Sequence, residues 1–108
     1  MLDLENDTMY NYTYFKREKL MTEQQKEILL ITSEEAAEVI QAISKIFRFG
    51  IDAEWKGIVN RKHLAEELGD LQCMIDLCRI TGIVSEEDIN NAAEAKYKKL
   101  QQWSTIFK

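Results

Sequence analysis

Two short groups of carboxylates interrupt stretches of the sequence that are otherwise rich in apolar residues. The segment "EEAAE" contains Glu34, Glu35 and Glu38, and the segment "EELGD" contains Glu67 and Asp70. Side chains three or four residues apart share one face of an α-helix. Because carboxylate oxygens are the ligands that hard cations such as Mg²⁺ prefer, the two groups form a candidate metal site if their helices meet.

The first group lies on the apolar side of its helix. At about 100° per residue, six residues fall within roughly 60° of one line: Ile28, Ile31, Val39, Ala42, Ile43 and Ile46. Glu35 lies about 20° from Ile28, in the middle of this stripe. Measured from Glu35 around the helix axis, Glu38 lies about 60° away and Glu34 about 100° away. The three acids therefore fan from the apolar centre to its edge, which is not the pattern of a solvated charged face.

The second group repeats this arrangement on the next helix. Its apolar arc comprises Leu64, Leu68, Leu71, Met74, Ile75, Leu77 and Cys78. Glu67 and Asp70 fall inside the arc, while Glu66 points to the opposite, polar side. In an antiparallel hairpin with a short connection, the acids of both helices lie roughly 10 to 20 Å from the turn, by the 1.5 Å rise per residue. The carboxylates of the two groups can therefore meet.

Three other interpretations of these acids remain open. They are surface acids of ordinary helices, acids paired with buried Lys or Arg, or ligands of a di-iron bundle. A di-iron bundle needs a Glu-x-x-His motif on each of two helices, and the chain has a single histidine, His63. The position of His63 in the first turn of the second helix favours a surface or capping role.

Cations on the third helix and at the end of the first helix are candidates for contacts to an anionic ligand. In the third helix, Lys96 lies within about 20° of the centre of an apolar stripe and Lys99 lies at its edge. Lys96, Lys99 and Arg48 are candidate phosphate-binding residues, although Lys96 can equally extend along apolar surface to solvent or pair with a carboxylate.

Local signals delimit the helices that position these residues. "TEQQ" from Thr22 is a capping box that predicts a helix over about 23 to 48, with Gly50 as its stop. Asn60 is placed to cap a second helix over about 61 to 81. "SEED" from Ser85 begins a third helix that ends near Gln102. No strand and no repeat is evident, so the sequence predicts an all-α protein.

The composition is that of one soluble domain. The chain has 108 residues, of which 45% are hydrophobic and 31% charged, and a formal net charge of -5. This charge disfavours a nucleic acid polymer or an anionic membrane as a partner, and no window approaches the roughly 20 apolar residues of a membrane span. Cys73 and Cys78 have no disulfide spacing and are interpreted as reduced core residues, which favours the cytoplasm.

The predicted organisation is an N-terminal arm over 1–21 and a helical domain over 22–108. The domain consists of an antiparallel helical hairpin plus a third helix. A chain this short buries a limited core, so dimerisation is expected to complete a four-helix-bundle core.

The two acidic segments resemble the EExxE and ExxD motifs of the MazG-like nucleotide pyrophosphohydrolases, in the all-α NTP pyrophosphatase superfamily. The resemblance runs from about Leu20 to Trp103 and includes "RFG" and "AEAKYKKLQQWS". A single-domain chain of this size is similar to the compact forms of bacteria and phages.

The resemblance implies that Glu35, Glu38, Glu67 and Asp70 hold Mg²⁺, with Mn²⁺ as a possible substitute. Glu34 is implied as an additional group at the metal, and the catalytic residues are then Glu34, Glu35 and Glu38. The implied reaction is hydrolysis of a nucleoside or deoxynucleoside triphosphate to the monophosphate and pyrophosphate. The implied assembly is a homodimer, possibly a dimer of dimers.

The substrate does not follow from these motifs, because base selection depends on pocket residues that they do not contain. For the nucleotide that the resemblance implies, the candidates for stacking on the base, each of which can also be a core residue, are Trp55, Tyr97 and Trp103. Relatives in the superfamily include dUTPases, dCTP pyrophosphatases and phosphoribosyl-ATP pyrophosphohydrolases. A function of another class, a non-catalytic metal-binding helical dimerisation module, is the alternative to an enzyme.

Overall fold

The computed structural model describes residues 20–108. The predicted arm over 1–21 lies outside the described residues, apart from its last two. Helix α1 comprises Glu23–Phe49, α2 comprises Asn60–Ile80 and α3 comprises Glu86–Trp103. The predicted all-α class is confirmed, and the three helices begin and end within a residue or two of their predicted bounds.

Both ends of α1 and the start of α3 form as the local sequence predicts. Thr22 Oγ1 accepts a hydrogen bond from the Gln25 amide at 3.0 Å, and the Thr22 amide donates to Gln25 Oε1 at 3.1 Å. Gly50 ends α1 with a φ of 107°, a backbone angle that disfavours residues with a Cβ. Ser85 Oγ accepts from the Asp88 amide at 3.0 Å and begins α3. These caps replace hydrogen bonds that the first and last turns of a helix otherwise lack.

The connection between α1 and α2 contains a small β-hairpin that the sequence did not reveal. Strand β1, Glu54–Trp55, pairs antiparallel with β2, Ile58–Val59. The two loop residues, Lys56 and Gly57, both have positive φ, 53° and 81°. Two positive φ values are the requirement of a type I′ turn, which matches the twist of the strands it joins. Strands of two residues are too short to show an alternating pattern.

Hydrogen bonds within the connection fix the start of α2. Asn60 Nδ2 donates to the Gly50 carbonyl at 3.0 Å, and the Asn60 amide donates to the Ala53 carbonyl at 2.9 Å. The predicted capping role of Asn60 is wrong, because Val59 is the N-cap residue and makes no side-chain cap. Arg61 forms two hydrogen bonds with Asp52, at 3.0 and 3.2 Å, and these bonds lower the pKa of Asp52.

The core lies between α1 and α2, which run antiparallel. Ile28, near the start of α1, packs with Met74 and Cys78, near the end of α2. Val39 and Ala42 are buried further along α1. Both cysteines are free, but Cys73 is exposed, so the prediction of a core position holds for Cys78 alone.

Helix α3 has no buried residue, and Tyr97 and Trp103 are 60% and 83% exposed. The hairpin of α1 and α2 also leaves apolar residues uncovered, including Ile43 at 39% and Leu68 at 47%. Within residues 20–108 the apolar faces of the helices are thus only partly covered by one chain. No helix of this part of the chain is long and apolar enough to cross a membrane.

Candidate active site

Three carboxylates from the two long helices converge at the middle of the hairpin. Glu35 lies on α1, and Glu67 and Asp70 lie on the facing side of α2. One carboxylate oxygen of each residue lies within 4.8 Å of the corresponding oxygens of the other two. Glu35 and Glu67 are half-buried, whereas Asp70 is exposed. We call these three residues the acid cluster.

The pKa of Glu35 is raised above its usual range. Desolvation is the largest cause, followed by repulsion from Asp70, Glu67, Glu38 and Glu34 in that order. All four charged neighbours that shift Glu35 are acids, which shows that both acidic segments surround this carboxyl. Glu34 and Glu38 are exposed on α1, and neither belongs to the acid cluster as defined by the oxygen distances.

No lysine or arginine of the described residues forms an ion pair with the acid cluster. The ion pairs of residues 20–108 that involve lysine or arginine are Lys26–Glu23, Arg61–Asp52 and Arg79–Asp76. The interpretation of the acids as partners of buried basic residues therefore has no support here. Carboxylate oxygens at this spacing, with no lysine or arginine of residues 20–108 paired to them, fit a hard divalent cation such as Mg²⁺ or Mn²⁺.

His63 lies directly beside the acid cluster. Its Nε2 is 3.0 Å from Glu67 Oε2, and the two side chains are only 25% and 14% exposed. The surface or capping role that the sequence favours for His63 is therefore wrong. The spacing of four residues between His63 and Glu67 places both on one helix face and is the signal that could have indicated this contact. Such a contact holds a ligand carboxylate in one orientation.

Two adjoining pockets lie between the end of α1, the β-hairpin and the start of α2. The smaller, of about 170 Å³, is lined by Lys45, Trp55, Lys56, Ile58, Asn60 and His63. The larger, of about 430 Å³, is lined by Lys45, Phe49, Ala53, Glu54, Trp55 and Asn60. We call the two together the connector pocket. His63 lines it and also contacts Glu67, so the connector pocket borders the acid cluster.

Both lysines of the connector pocket lie over the ring of Trp55. The Nζ atoms of Lys45 and Lys56 are 5.3 and 4.5 Å from the ring centroid, within the range of cation–π interactions. Lys45 was not a candidate from the sequence, although it follows Glu38 by seven residues and so shares the helix face of Glu38. Trp55, a predicted base-stacking candidate, is the residue that the two lysines flank.

Comparison with known protein families agrees with this geometry. Residues 23–104 match the family model described as the MazG nucleotide pyrophosphohydrolase domain. The chain belongs to this family. No curated protein and no solved structure matches the chain. The matched range contains both acidic segments and all three helices, and MazG domains generally depend on divalent cations.

The other predicted ligand-binding residues of this MazG domain lie on α3 and at the end of α1. Lys96 and Lys99 are exposed on α3, and the Arg48 guanidinium lies 5.0 Å from the ring centroid of Phe49. The ring of Tyr97 lies 6.1 Å from that of Phe107 at the C-terminal end. In the single chain these residues and Trp103 do not line the connector pocket, and they form no ion pair with an acid of the described residues.

Proposed function

We propose that this MazG domain hydrolyses a nucleoside or deoxynucleoside triphosphate to the monophosphate and pyrophosphate, with Mg²⁺ as its cofactor and Mn²⁺ as a substitute. The observation that carries the proposal is the convergence of Glu35, Glu67 and Asp70, none of which pairs with a lysine or arginine of residues 20–108. Family membership supports nucleotide pyrophosphohydrolase activity in general. The choice of Mg²⁺ rests on a donor set made of carboxylate oxygens.

Glu35, Glu67 and Asp70 would hold the cation, and Glu38 would add a fourth carboxylate from the next turn of α1. When bound, Mg²⁺ neutralises charge on phosphate oxygens and lowers the pKa of a coordinated water. The raised pKa of Glu35 is consistent with this assignment, because its charged neighbours are the acids of the site. His63 would keep the carboxylate of Glu67 turned toward the cluster.

The reaction requires no nucleophilic side chain. A water oxygen forms a bond to the α-phosphorus, the bond from that phosphorus to the bridging oxygen breaks, and pyrophosphate leaves with the electron pair. Glu34 and Glu38, exposed beside the acid cluster, are the carboxylates available to orient the water and take its proton. Lys96, Lys99 and Arg48 are proposed to contact phosphate oxygens, which bear the charge that develops during the transfer.

We also propose that the chain assembles as a homodimer or as a dimer of such dimers. Helix α3 has no buried residue, and apolar residues such as Ile43 and Leu68 remain exposed on the hairpin. A second hairpin packed on these faces would give a four-helix bundle, the smallest closed arrangement for helices with two apolar faces. Such packing could also bring α3 of one copy to the acid cluster of the other.

The test is hydrolysis of each of the common ribonucleoside and deoxynucleoside triphosphates with Mg²⁺ in water enriched in ¹⁸O, with the products separated by anion exchange. We expect equal amounts of monophosphate and pyrophosphate, with the label in the monophosphate. Label in the pyrophosphate would place the attack on the β-phosphorus, and diphosphate plus phosphate would refute the proposed bond cleavage. No hydrolysis of any triphosphate would favour a non-catalytic module.

A matched pair of variants tests the acid cluster itself. Glu67→Gln removes one carboxylate of the cluster, whereas Glu66→Gln removes the neighbouring carboxylate, which is exposed on the polar side of α2. We expect the first variant to lose turnover and the second to retain it. Equal loss in both variants would show that the effect is one of overall charge rather than of the cluster.

A further inference from the structure

The connector pocket contains a buried amide that has one hydrogen bond and capacity for more. Asn60 is 6% exposed and is the one buried polar residue of the described part of the chain. It lines both halves of the connector pocket. Buried polar groups are almost always hydrogen-bonded, so each of its polar atoms requires a partner.

The hydrogen bond of one side-chain atom of Asn60 fixes the orientation of its amide group and so identifies the other atom. Asn60 Nδ2 lies 3.0 Å from the carbonyl oxygen of Gly50. A carbonyl oxygen only accepts, so the atom facing it must be the NH₂ group. The other atom is therefore Oδ1, an acceptor. Oδ1 forms no hydrogen bond with any group in residues 20–108.

The residues that line the connector pocket beside Asn60 are suited to binding a flat aromatic ligand. The rings of Phe49 and Trp55 line the larger half of the connector pocket, together with the methyl group of Ala53. Lys45 contributes an ammonium group, which donates hydrogen bonds to carbonyl oxygens or ring nitrogens. A ligand that satisfies all of these groups has a planar ring with an N–H donor close to an acceptor.

The connector pocket also has the position required of a substrate subsite. His63 lines its smaller half and lies 3.0 Å from Glu67 of the acid cluster. The connector pocket therefore adjoins the acid cluster through His63, as a subsite for the aromatic end of a ligand with phosphates at the acid cluster must.

We propose that the connector pocket binds the nucleobase of the substrate and that Asn60 Oδ1 accepts a hydrogen bond from an N–H group of the base. The N–H is the exocyclic amine of cytosine or adenine, or the ring imino group of uracil, thymine or guanine. Trp55, not Tyr97 or Trp103, then provides the aromatic wall. This inference rests on the proposed function, because it places the aromatic part of the nucleotide that the acid cluster would process.

The first test measures binding and needs no hydrolysis. Deoxynucleoside 5′-monophosphates are titrated with Mg²⁺ against the intrinsic tryptophan fluorescence, with 2-deoxyribose 5-phosphate as the probe that lacks a base. The chain has two tryptophans, Trp55 and Trp103, so Trp55→Phe and Trp103→Phe form a matched pair. We expect quenching by at least one monophosphate that persists in Trp103→Phe and disappears in Trp55→Phe. Any other pattern, including the absence of quenching in the parent protein, would overturn the assignment of the base to this pocket.

The second test separates recognition by Asn60 from its structural bond to Gly50. In Asn60→Ala, we expect the dissociation constant of the tightest-binding monophosphate to rise about tenfold, the effect of losing one hydrogen bond, while that of 2-deoxyribose 5-phosphate stays the same. Asn60→Asp keeps Oδ1 and loses Nδ2, so it should retain most of the contribution of the base even though it loses the bond to Gly50. A purely structural role predicts equal weakening of both probes, or equal behaviour of the Ala and Asp variants, and either result would refute the proposal.

These outcomes are independent of the proposed reaction. If triphosphates are hydrolysed but the fluorescence pattern fails, the reaction stands and the base lies elsewhere. If monophosphates bind as expected but no triphosphate is hydrolysed, the connector pocket is a nucleotide site and the proposed function is wrong.

Discussion

Replacement of Glu35 by glutamine removes one charge from the centre of the acid cluster with almost no change of shape. The carboxylate has oxygens of Glu67 and Asp70 within 4.8 Å, and the pKa of Glu35 is raised by desolvation first and then by the neighbouring acids. A raised pKa means that the folded state disfavours the ionised form of this carboxyl. Without metal at neutral pH, we therefore expect Glu35→Gln to melt at the same temperature as the parent protein or higher.

With Mg²⁺ present, the order of the two melting temperatures should reverse. A ligand at a free concentration 100 times its dissociation constant raises the melting temperature of a domain of this size by about 10 to 20 °C. Glu35→Gln removes one of the three clustered carboxylates, and each tenfold loss of affinity reduces this shift by about 5 to 10 °C. We expect a loss of affinity of about tenfold or more, together with loss of turnover.

The assay is a melting curve in EDTA and at a series of Mg²⁺ concentrations, with turnover measured on the same preparation and Glu66→Gln as the control. The control should show the full Mg²⁺ shift. If the metal-free Glu35→Gln protein melts well below the metal-free parent, Glu35 is a structural partner rather than a metal ligand. An undiminished Mg²⁺ shift would lead to the same conclusion.

Four further expectations follow from the same features. Without metal, the stability that protonated Glu35 provides should be fully present below its ordinary pKa of 4.5 and should be lost as the pH rises through its raised pKa. Over this range of pH, the melting temperature of the parent protein should therefore fall relative to that of Glu35→Gln. Light scattering after size exclusion should show a dimer or tetramer at micromolar concentration, and a stable, well-folded monomer would count against the assembly. Met74→Ala, in the core, should lower the free energy of unfolding by about 2 to 5 kcal/mol in urea denaturation, whereas Leu30→Ala, on the surface, should change it little. Lys96→Ala should lower turnover with little change in melting temperature, because Lys96 is exposed and pairs with no acid within the described residues, and normal turnover would remove it from the site.

The helices and the acid cluster were predictable because both follow from local rules. Capping residues such as Thr22 and Ser85 act within three residues of themselves, so their sequence context contains the whole interaction. Helix geometry then fixes which side chains share a face, and a short connection makes the two helices antiparallel. The convergence of Glu35 with Glu67 and Asp70 therefore needs no information beyond periodicity and the length of the connection.

The connector pocket was not predictable in the same way. Asn60 has the residue type of a helix cap, yet its side chain bonds to Gly50, ten residues earlier, because the connection folds back on the end of α1. The turn of the β-hairpin uses Lys56 and Gly57, which are weaker turn signals than Asn-Gly. Contacts of this kind depend on the path of the backbone, which the pattern of apolar residues does not specify.

Helix α3 shows that an apolar pattern in the sequence does not reveal which surface covers it. Its stripe, which includes Ile89 and Leu100, is correctly recognised as apolar, yet no residue of α3 is buried within the chain. An apolar pattern indicates that a face needs a partner but contains no information about which surface covers it. In the proposed homodimer, the position of Lys96 relative to the acid cluster would depend on how the two copies pack as well as on the fold of one chain.

The acid cluster, proposed to hydrolyse the substrate, and the connector pocket, proposed to bind its base, are built from different elements of the fold. The acid cluster lies on two regular helices, where a change of one side chain leaves the positions of the others fixed by the helix geometry. The connector pocket depends on the β-hairpin and on the first residues of α2, where a change of loop sequence can move the walls of the pocket. His63 connects the two, since it lines the pocket and contacts Glu67 of the acid cluster. Substitutions in the connection, such as Trp55→Phe, should therefore alter the choice of base more than turnover, whereas substitutions in the acid cluster should remove turnover for every base alike.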